Sequence, residues 1–241
     1  MPILLVKNLE ARIGPRVILA GASLEIDSGE CCLLLGQNGS GKTTLIRCIV
    51  DLIKPTIGEV FIIERKNQAE PVKVKKNFGL ISDDNPLIQD FSALQYLDFI
   101  GILHKIPLKE RRERISVLYK YFFDTLDDLK RPIYSYSSGM KKKLSFCAAN
   151  LHQPKLLILD EPFNGLDPDT QVKAIDFLKS YKEKGNAILL TSHFFNGLDQ
   201  IVSHVALIED KTIIYNDVVS DFLINPQMRD KAHSLKAAFN S

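Results

Sequence analysis

A chain of 241 residues, 45% apolar and 25% charged, has the composition of an ordinary globular protein and enough material for a large core. Its 31 basic and 29 acidic side chains leave a formal charge of +2, so no average field selects a nucleic acid or a membrane surface. Cys31, Cys32, Cys48 and Cys147 lack CxxC spacing and predict reduced, buried thiols of a cytosolic protein. No secretory pattern opens the chain and no apolar run approaches the roughly 20 residues of a membrane span, so any work at a membrane requires another chain to hold it there.

Residues 3–9 predict a first strand, with Gly14-Pro15 breaking the pattern. Residues 18–26 continue it, so the early chain reads as a small sheet beside the strand Leu33-Leu34-Leu35. That strand runs into Gly36-Gln37-Asn38-Gly39-Ser40-Gly41-Lys42-Thr43-Thr44 and then an apolar helical pattern through Leu45, Ile46 and Ile49. Strand, glycine-rich turn and helix is the arrangement in which backbone N–H groups wrap a phosphate. Lys42 then reaches the outer phosphates and Thr43 holds Mg²⁺, which makes a nucleoside triphosphate the first ligand to consider.

The helix is predicted to end before Pro55, followed by a strand at 59–63. Residues 66–76 are polar and basic and predict an exposed, solvated connection. A short strand at 78–81 stops at Ser82-Asp83-Asp84-Asn85-Pro86. From Ser92, a predicted cap, Leu94, Leu97, Ile100 and Leu103 recur at helical spacing, and further helices are expected over 108–121 and from Ser137 or Ser138 past Ala148. A helical lobe, about residues 84–150, inserted into an α/β parallel-sheet domain of residues 1–225 is the simplest architecture. Residues 226–241 remain as a polar tail.

The run Leu156-Leu157-Ile158-Leu159 predicts a buried strand with Asp160 and Glu161 at its carboxyl end, where open α/β sheets place ligands. Asp160 there can hold Mg²⁺ and Glu161 can orient or deprotonate water. Asp167 caps a predicted helix through Leu178, residues 187–190 form another buried strand, and His193 follows it within reach of a terminal phosphate or water. Residues 205–215 predict a terminal hairpin. The histidines at 104, 152, 204 and 233 lack metal-ligand spacing and read as structural or exposed. Tyr136-Ser137-Ser138-Gly139-Met140-Lys141 opens a helix with free N–H groups in the helical lobe, which suits a phosphate held by a second subunit.

In this order the motifs resemble the nucleotide-binding subunits of ABC transporters, over about residues 3–215. Residues 36–43 match the Walker A motif, 156–161 Walker B with its glutamate, and 136–141 resemble the signature motif. Asn164-Gly165-Leu166-Asp167 looks like the D-loop and His193 falls at the switch histidine. The resemblance implies a P-loop NTPase fold, with parallel sheet, flanking helices and a small antiparallel N-terminal subdomain. It implies ATP and Mg²⁺ bound by Asn38, Gly39, Ser40, Gly41, Lys42, Thr43, Thr44 and Asp160, with Glu161, His193 and Lys42 catalytic. Ser137, Ser138 and Gly139 would act in trans on the ATP of a second copy or a homologous ATPase, and a separate permease chain would receive the motion, near residues 83–96, for export of its substrate. The protein would then sit on the cytoplasmic face of the membrane, with no nucleic acid partner.

Three positions depart from the family pattern. Ser138 replaces the first of two glycines, Asp83 stands where a glutamine is usual and carries over only weakly as a metal ligand, and Ile13, with Val17, takes the place of the ring that stacks on adenine. A soluble ABC-type ATPase acting on a macromolecule, and a regulatory ATP-binding subunit with weak hydrolysis, are the alternatives. The chain has one nucleotide motif set and no dominant basic stripe, which weighs against the first. Lys42, Asp160, Glu161 and His193 weigh against the second.

Overall fold

The computed structural model describes residues 2–67, 69–82, 87–192 and 197–228. β1 (Leu4–Ile13) and β2 (Arg16–Ile26) form a hairpin, and β3 (Cys31–Leu35) runs through the phosphate loop into α1 (Lys42–Ile49). β4 (Ile57–Ile62) and the short β5 (Arg65–Lys66) fold back on the hairpin to give an antiparallel sheet of order β2-β1-β4-β5. After α2 (Pro71–Lys75) comes β6 (Phe78–Ile81), and α3 (Ala93–Leu103), α4 (Leu108–Phe123) and α5 (Ser138–Asn150) separate it from β7 (Leu156–Asp160). α6 (Pro168–Glu183) and β8 (Ala187–Thr191) follow, then the hairpin β9 (His204–Glu209) and β10 (Thr212–Val218), and α7 (Val219–Ile224). The second sheet has the order β10-β9-β3-β8-β7-β6, parallel except for β10.

The parallel strands are apolar without alternation because both faces are covered. Cys32, Leu34, Leu156, Ile158 and Leu189 point into one core, shared with α1 and the antiparallel sheet. Cys31, Leu33, Leu157, Leu159 and Leu190 point into the other, shared with α4, α5 and α6. The four cysteines are buried and free, and burial pushes the Cys31 thiol up to about 12 and the Cys48 thiol up to about 11. They are packing groups, as their apolar flanks predict.

α3 begins with a complete capping box: Ser92 Oγ accepts from Gln95 N at 3.2 Å and Gln95 Oε1 accepts from Ser92 N at 2.8 Å. α5 is seated on the sheet through Gly79 of β6. A Cβ at that position would collide with the Ala149 carbonyl and lie 2.9 Å from Leu157 Cδ2. Gly79→Ala is therefore expected to lower stability by about 1–3 kcal/mol, read as a fall in the urea midpoint. An unchanged midpoint would mean that α5 is not pinned there.

Two stretches differ from the sequence expectation. Residues 66–76 are not a purely solvated connection: Asn67 and Val74 are fully buried, and Asn67 Nδ2 donates to Ile49 O at 2.6 Å, tying the end of α1 to the loop after β5. α7 is an additional short helix before the tail. The histidines with structural readings fit them: the rings of His104 and His152 stack at 3.7 Å, a ring nitrogen of His152 lies 2.9 Å from Phe78 O, and His204 pairs with Glu30 at 3.3 Å. His233 lies outside the described residues.

Candidate functional site

β3, β8 and β7 run parallel, so their carboxyl ends open on one edge of the sheet. Strand order matters here, because β8 lies between the strand that carries the phosphate loop and the strand that carries Asp160. A cleft of about 850 Å³ occupies this edge. Asn38, Gly39, Gly41, Lys42, Thr43 and Thr44 line one side of it, and Asp160 and Glu161 the other.

The loop is shaped by positive-φ glycines and by Lys42. Gly41 has φ +113°, and a Cβ on it would stand 2.9 Å from Leu19 Cδ2 and 3.2 Å from Ile18 O, so only glycine lets the loop press against β2. Lys42 Nζ donates to Gly36 O at 2.7 Å and Gln37 O at 3.0 Å, and the backbone curls round its ammonium. Burial pulls the Lys42 ammonium below the usual lysine range, while Glu161 and Asp160 oppose that shift. α1 starts with no side-chain cap and no acidic residue in its first turn, which leaves its N-terminal amides and positive dipole end to an anion. Ser40 does not line the cleft; its Oγ is buried behind the loop with no hydrogen-bond partner among the described residues.

A hydrogen-bonded chain crosses from the loop to β7. Thr43 Oγ1 donates to Asp160 Oδ2 at 3.4 Å, and Thr191 Oγ1 donates to Asp160 Oδ1 at 2.5 Å. The same Thr191 hydroxyl accepts from Glu161 N at 3.1 Å. Thr191 is fully buried at the end of β8 and orients both carboxylate residues, a role that reading the chain alone misses. Glu161 itself has φ +47°, a left-handed backbone that a non-glycine residue adopts only when its surroundings hold it there.

These residues fit a triphosphate with Mg²⁺. Mg²⁺ is ordinarily held by one or two protein oxygens together with phosphates and water, and Thr43 Oγ1 beside Asp160 Oδ2 is such a pair. Among the described residues no group of three His, Cys, Asp or Glu forms an all-protein metal cage. His193 and Asp83 lie outside the described residues.

At the other end of the cleft wall the structure places Arg16 and Ile18 rather than Ile13 and Val17. Ile13 is 54% exposed at the hairpin end and opposes Arg16 in the strand register. Arg16 and Ile18 alternate with Val17 along β2, so the two share a face of the strand and Val17 takes the other.

Ser137, Ser138 and Gly139 are not part of the cleft wall. Ser137 caps α5, its Oγ accepting from Met140 N at 3.2 Å, and the side chains of Ser137 and Ser138 are exposed. The residue before them is fixed: Tyr136 is buried, donates to Asp128 O at 2.6 Å and accepts from Tyr119 at 2.6 Å. Ser138 lies against the loop at Gly165, where a Cβ would sit 3.6 Å from Ser138 Oγ. Leu97, near the expected permease contact, is core, and Phe91 and Leu94 pack against that core. The exposed apolar side chains of α3 are Phe99, Ile102 and Leu103.

Comparison with known proteins follows the same lines. The family model described as ABC transporter matches residues 19–164. The chain is 30% identical over 209 residues to the daunorubicin resistance ATP-binding protein DrrA3 of Streptomyces coeruleorubidus, covering 87% of this chain and 66% of the relative. It is 35% identical to the ABC transporter ATP-binding protein YdbJ of Bacillus subtilis, covering 86% and 67%. With the Nod factor export ATP-binding protein I of Cupriavidus metallidurans it shares 29%, covering 86% and 68%. The chain thus spans about two thirds of the length of these relatives. Among solved structures, an ATP-binding subunit of an ABC transporter superposes with a TM-score of 0.90 over 99% of this chain and 100% of its own, at 24% identity. An ATP-binding cassette in a dimeric post-hydrolysis state with ADP and Pi gives 0.80 at 23% identity, covering 90% and 98%. The chain belongs to the ABC transporter family, as an ATP-binding ATPase subunit.

Proposed function

We propose that this subunit hydrolyses ATP between two head-to-tail ATPase chains and passes the resulting motion to a separate membrane permease that exports a substrate. The observation that carries the reading is the convergence of the phosphate loop, Asp160 and Glu161 on one cleft, while Ser137 and Ser138 are exposed, Gly139 is partly exposed and none of the three lines that cleft. A second copy, or a homologous ATPase chain, would bring its own Ser137–Gly139 segment over this cleft.

The loop amides, Lys42 and Thr44 bind and orient the triphosphate, with Asn38 on the cleft wall and the Ser40 amide closing the turn on Gln37 O. Thr43 and Asp160 would hold Mg²⁺, which neutralises charge on the terminal phosphates. Glu161 accepts a proton from, or orients, the attacking water, and His193 contacts the terminal phosphate. Catalysis is positioning and electrostatic stabilisation, after which loss of the phosphate contact across the interface separates the two chains. Arg16 and Ile18 line the cleft where Ile13 and Val17 are expected to meet the base, so the base is held without an aromatic ring. Asp83 remains a weaker candidate for a metal ligand.

Export is supported by the name of the Nod factor export relative, and pairing of two ATPase chains by the dimeric ATP-binding cassette among the solved structures. No helix among the described residues is long and apolar enough to cross a membrane. Phe99, Ile102 and Leu103 on α3 give the lobe an exposed apolar strip for a permease helix, on the cytoplasmic face of the membrane. The test is to identify a multi-span membrane protein encoded in the same operon, co-express it with this chain, purify the pair in detergent and measure ATP turnover. Co-purification with turnover above that of the chain alone is expected; a rate indifferent to the permease would contradict the coupling.

A further inference from the structure

The peptide of Glu161 is held at both ends, and the two anchors come from different parts of the fold. Its N–H donates to Thr191 Oγ1 at 3.1 Å, from the sheet. Besides the turn's own bond from Asn164 N at 3.4 Å, its carbonyl accepts from Lys142 Nζ at 3.3 Å, from the first turns of α5 in the helical lobe. Between these bonds the residue keeps φ +47°, a conformation that an ordinary L-residue disfavours. The neighbouring Lys143 Nζ stands 4.0 Å from Asp167 Oδ2, so consecutive lysines on α5 reach the beginning and the end of the loop that Glu161 opens.

We propose that Lys142 is a positioning residue for ATP hydrolysis, holding the Glu161 backbone in its left-handed conformation and making the aim of that carboxylate depend on how the helical lobe is seated. The proposal rests on the reading of Glu161 as the residue that handles water. Thr191 fixes where the Glu161 peptide starts, and the long bond from Asn164 N closes the turn within its own loop without tying it to the lobe. The shorter carbonyl bond from Lys142 adds the tie to α5 and tightens that turn, so the side chain leaves the Cα in one direction. Because α5 begins at Ser137–Gly139, the same rigid helix presents the segment meant for the partner's nucleotide and steadies the glutamate that serves its own. A cation with a flexible four-carbon stem suits this place, since it can keep a carbonyl partner over small lobe movements.

The test is steady-state ATP turnover and fluorescent ATP-analogue binding for the full chain, with its permease where turnover requires it, comparing Lys142→Met, Lys142→Arg, Glu161→Gln and the Lys142→Met/Glu161→Gln pair. Lys142→Met is expected to lower kcat by about tenfold to a hundredfold with KM and nucleotide Kd within about twofold. Lys142→Arg restores most of the rate, and in the Glu161→Gln background Lys142→Met causes no further loss, because the two act as one unit. Lys142→Leu, which likewise has no donor, replaces Met should the Met variant unfold. Wild-type kcat in Lys142→Met, or an equal fold loss with and without Glu161, would overturn the clamp and leave the Glu161 assignment standing. Wild-type turnover in Glu161→Gln would overturn that assignment and the clamp with it.

Discussion

Glu161→Gln is expected to lower ATP turnover by about 10²- to 10⁴-fold while nucleotide still binds. The change removes the carboxylate's capacity to take a proton and preserves its shape, and the backbone bond from Glu161 N to Thr191 Oγ1 is untouched. Asp160 keeps its bonds from Thr43 and Thr191, so the proposed metal oxygens stay where they are. Turnover measured with saturating Mg²⁺ and ATP, beside a binding titration, separates the two effects. A variant with the wild-type rate would assign the water to another group.

Lys42→Ala carries the second large effect, and it falls on binding. The ammonium is half-buried and bonded to Gly36 O and Gln37 O, so its removal takes away both the positive charge held within the phosphate loop and the centre about which the loop curls. Hydrogen bonds to charged groups are worth about 1.5–3 kcal/mol, which predicts ATP affinity weaker by roughly 10- to 100-fold, with turnover lost at ordinary ATP levels. Isothermal titration with a non-hydrolysable analogue reads this directly. Unchanged affinity would mean that the phosphates lie away from Lys42.

What the chain reveals locally and what it conceals divide along a physical line. The phosphate loop, β6, the capped start of α3, α5 after Ser137 and the run 156–160 are visible because their signals are short-range: glycine spacing, cap chemistry and unbroken apolar runs. Residues 66–76 hide their structure because two buried side chains, Asn67 and Val74, in a polar stretch make no period. Thr191 is read as the end of a strand, since its role exists only after β8 inserts between β3 and β7, and no local pattern states that order. Lys142 is concealed for a related reason. One lysine in a run of three looks like a solvated helix face until the fold brings the Glu161 carbonyl to it. At the hairpin the difficulty is tertiary: which face of β2 meets the phosphate loop is not stated by any local pattern, and it is Arg16 and Ile18 that line the cleft wall.

The substitution of Ser138 for a glycine has a geometric setting. Its side chain is exposed and lies beside Gly165 of the loop between β7 and α6, not inside its own chain's cleft. Room for the hydroxyl therefore exists within one chain, and its consequence falls at the interface with a second one.

The whole account turns on where a triphosphate lies. A crystal structure of this chain with magnesium and a non-hydrolysable ATP analogue is the direct measurement. The account predicts the β- and γ-phosphates on the backbone amides of residues 39–43, Lys42 Nζ on their oxygens, and the metal between them and Thr43 and Asp160. Phosphates bound elsewhere, with those amides covered by protein side chains, would contradict it.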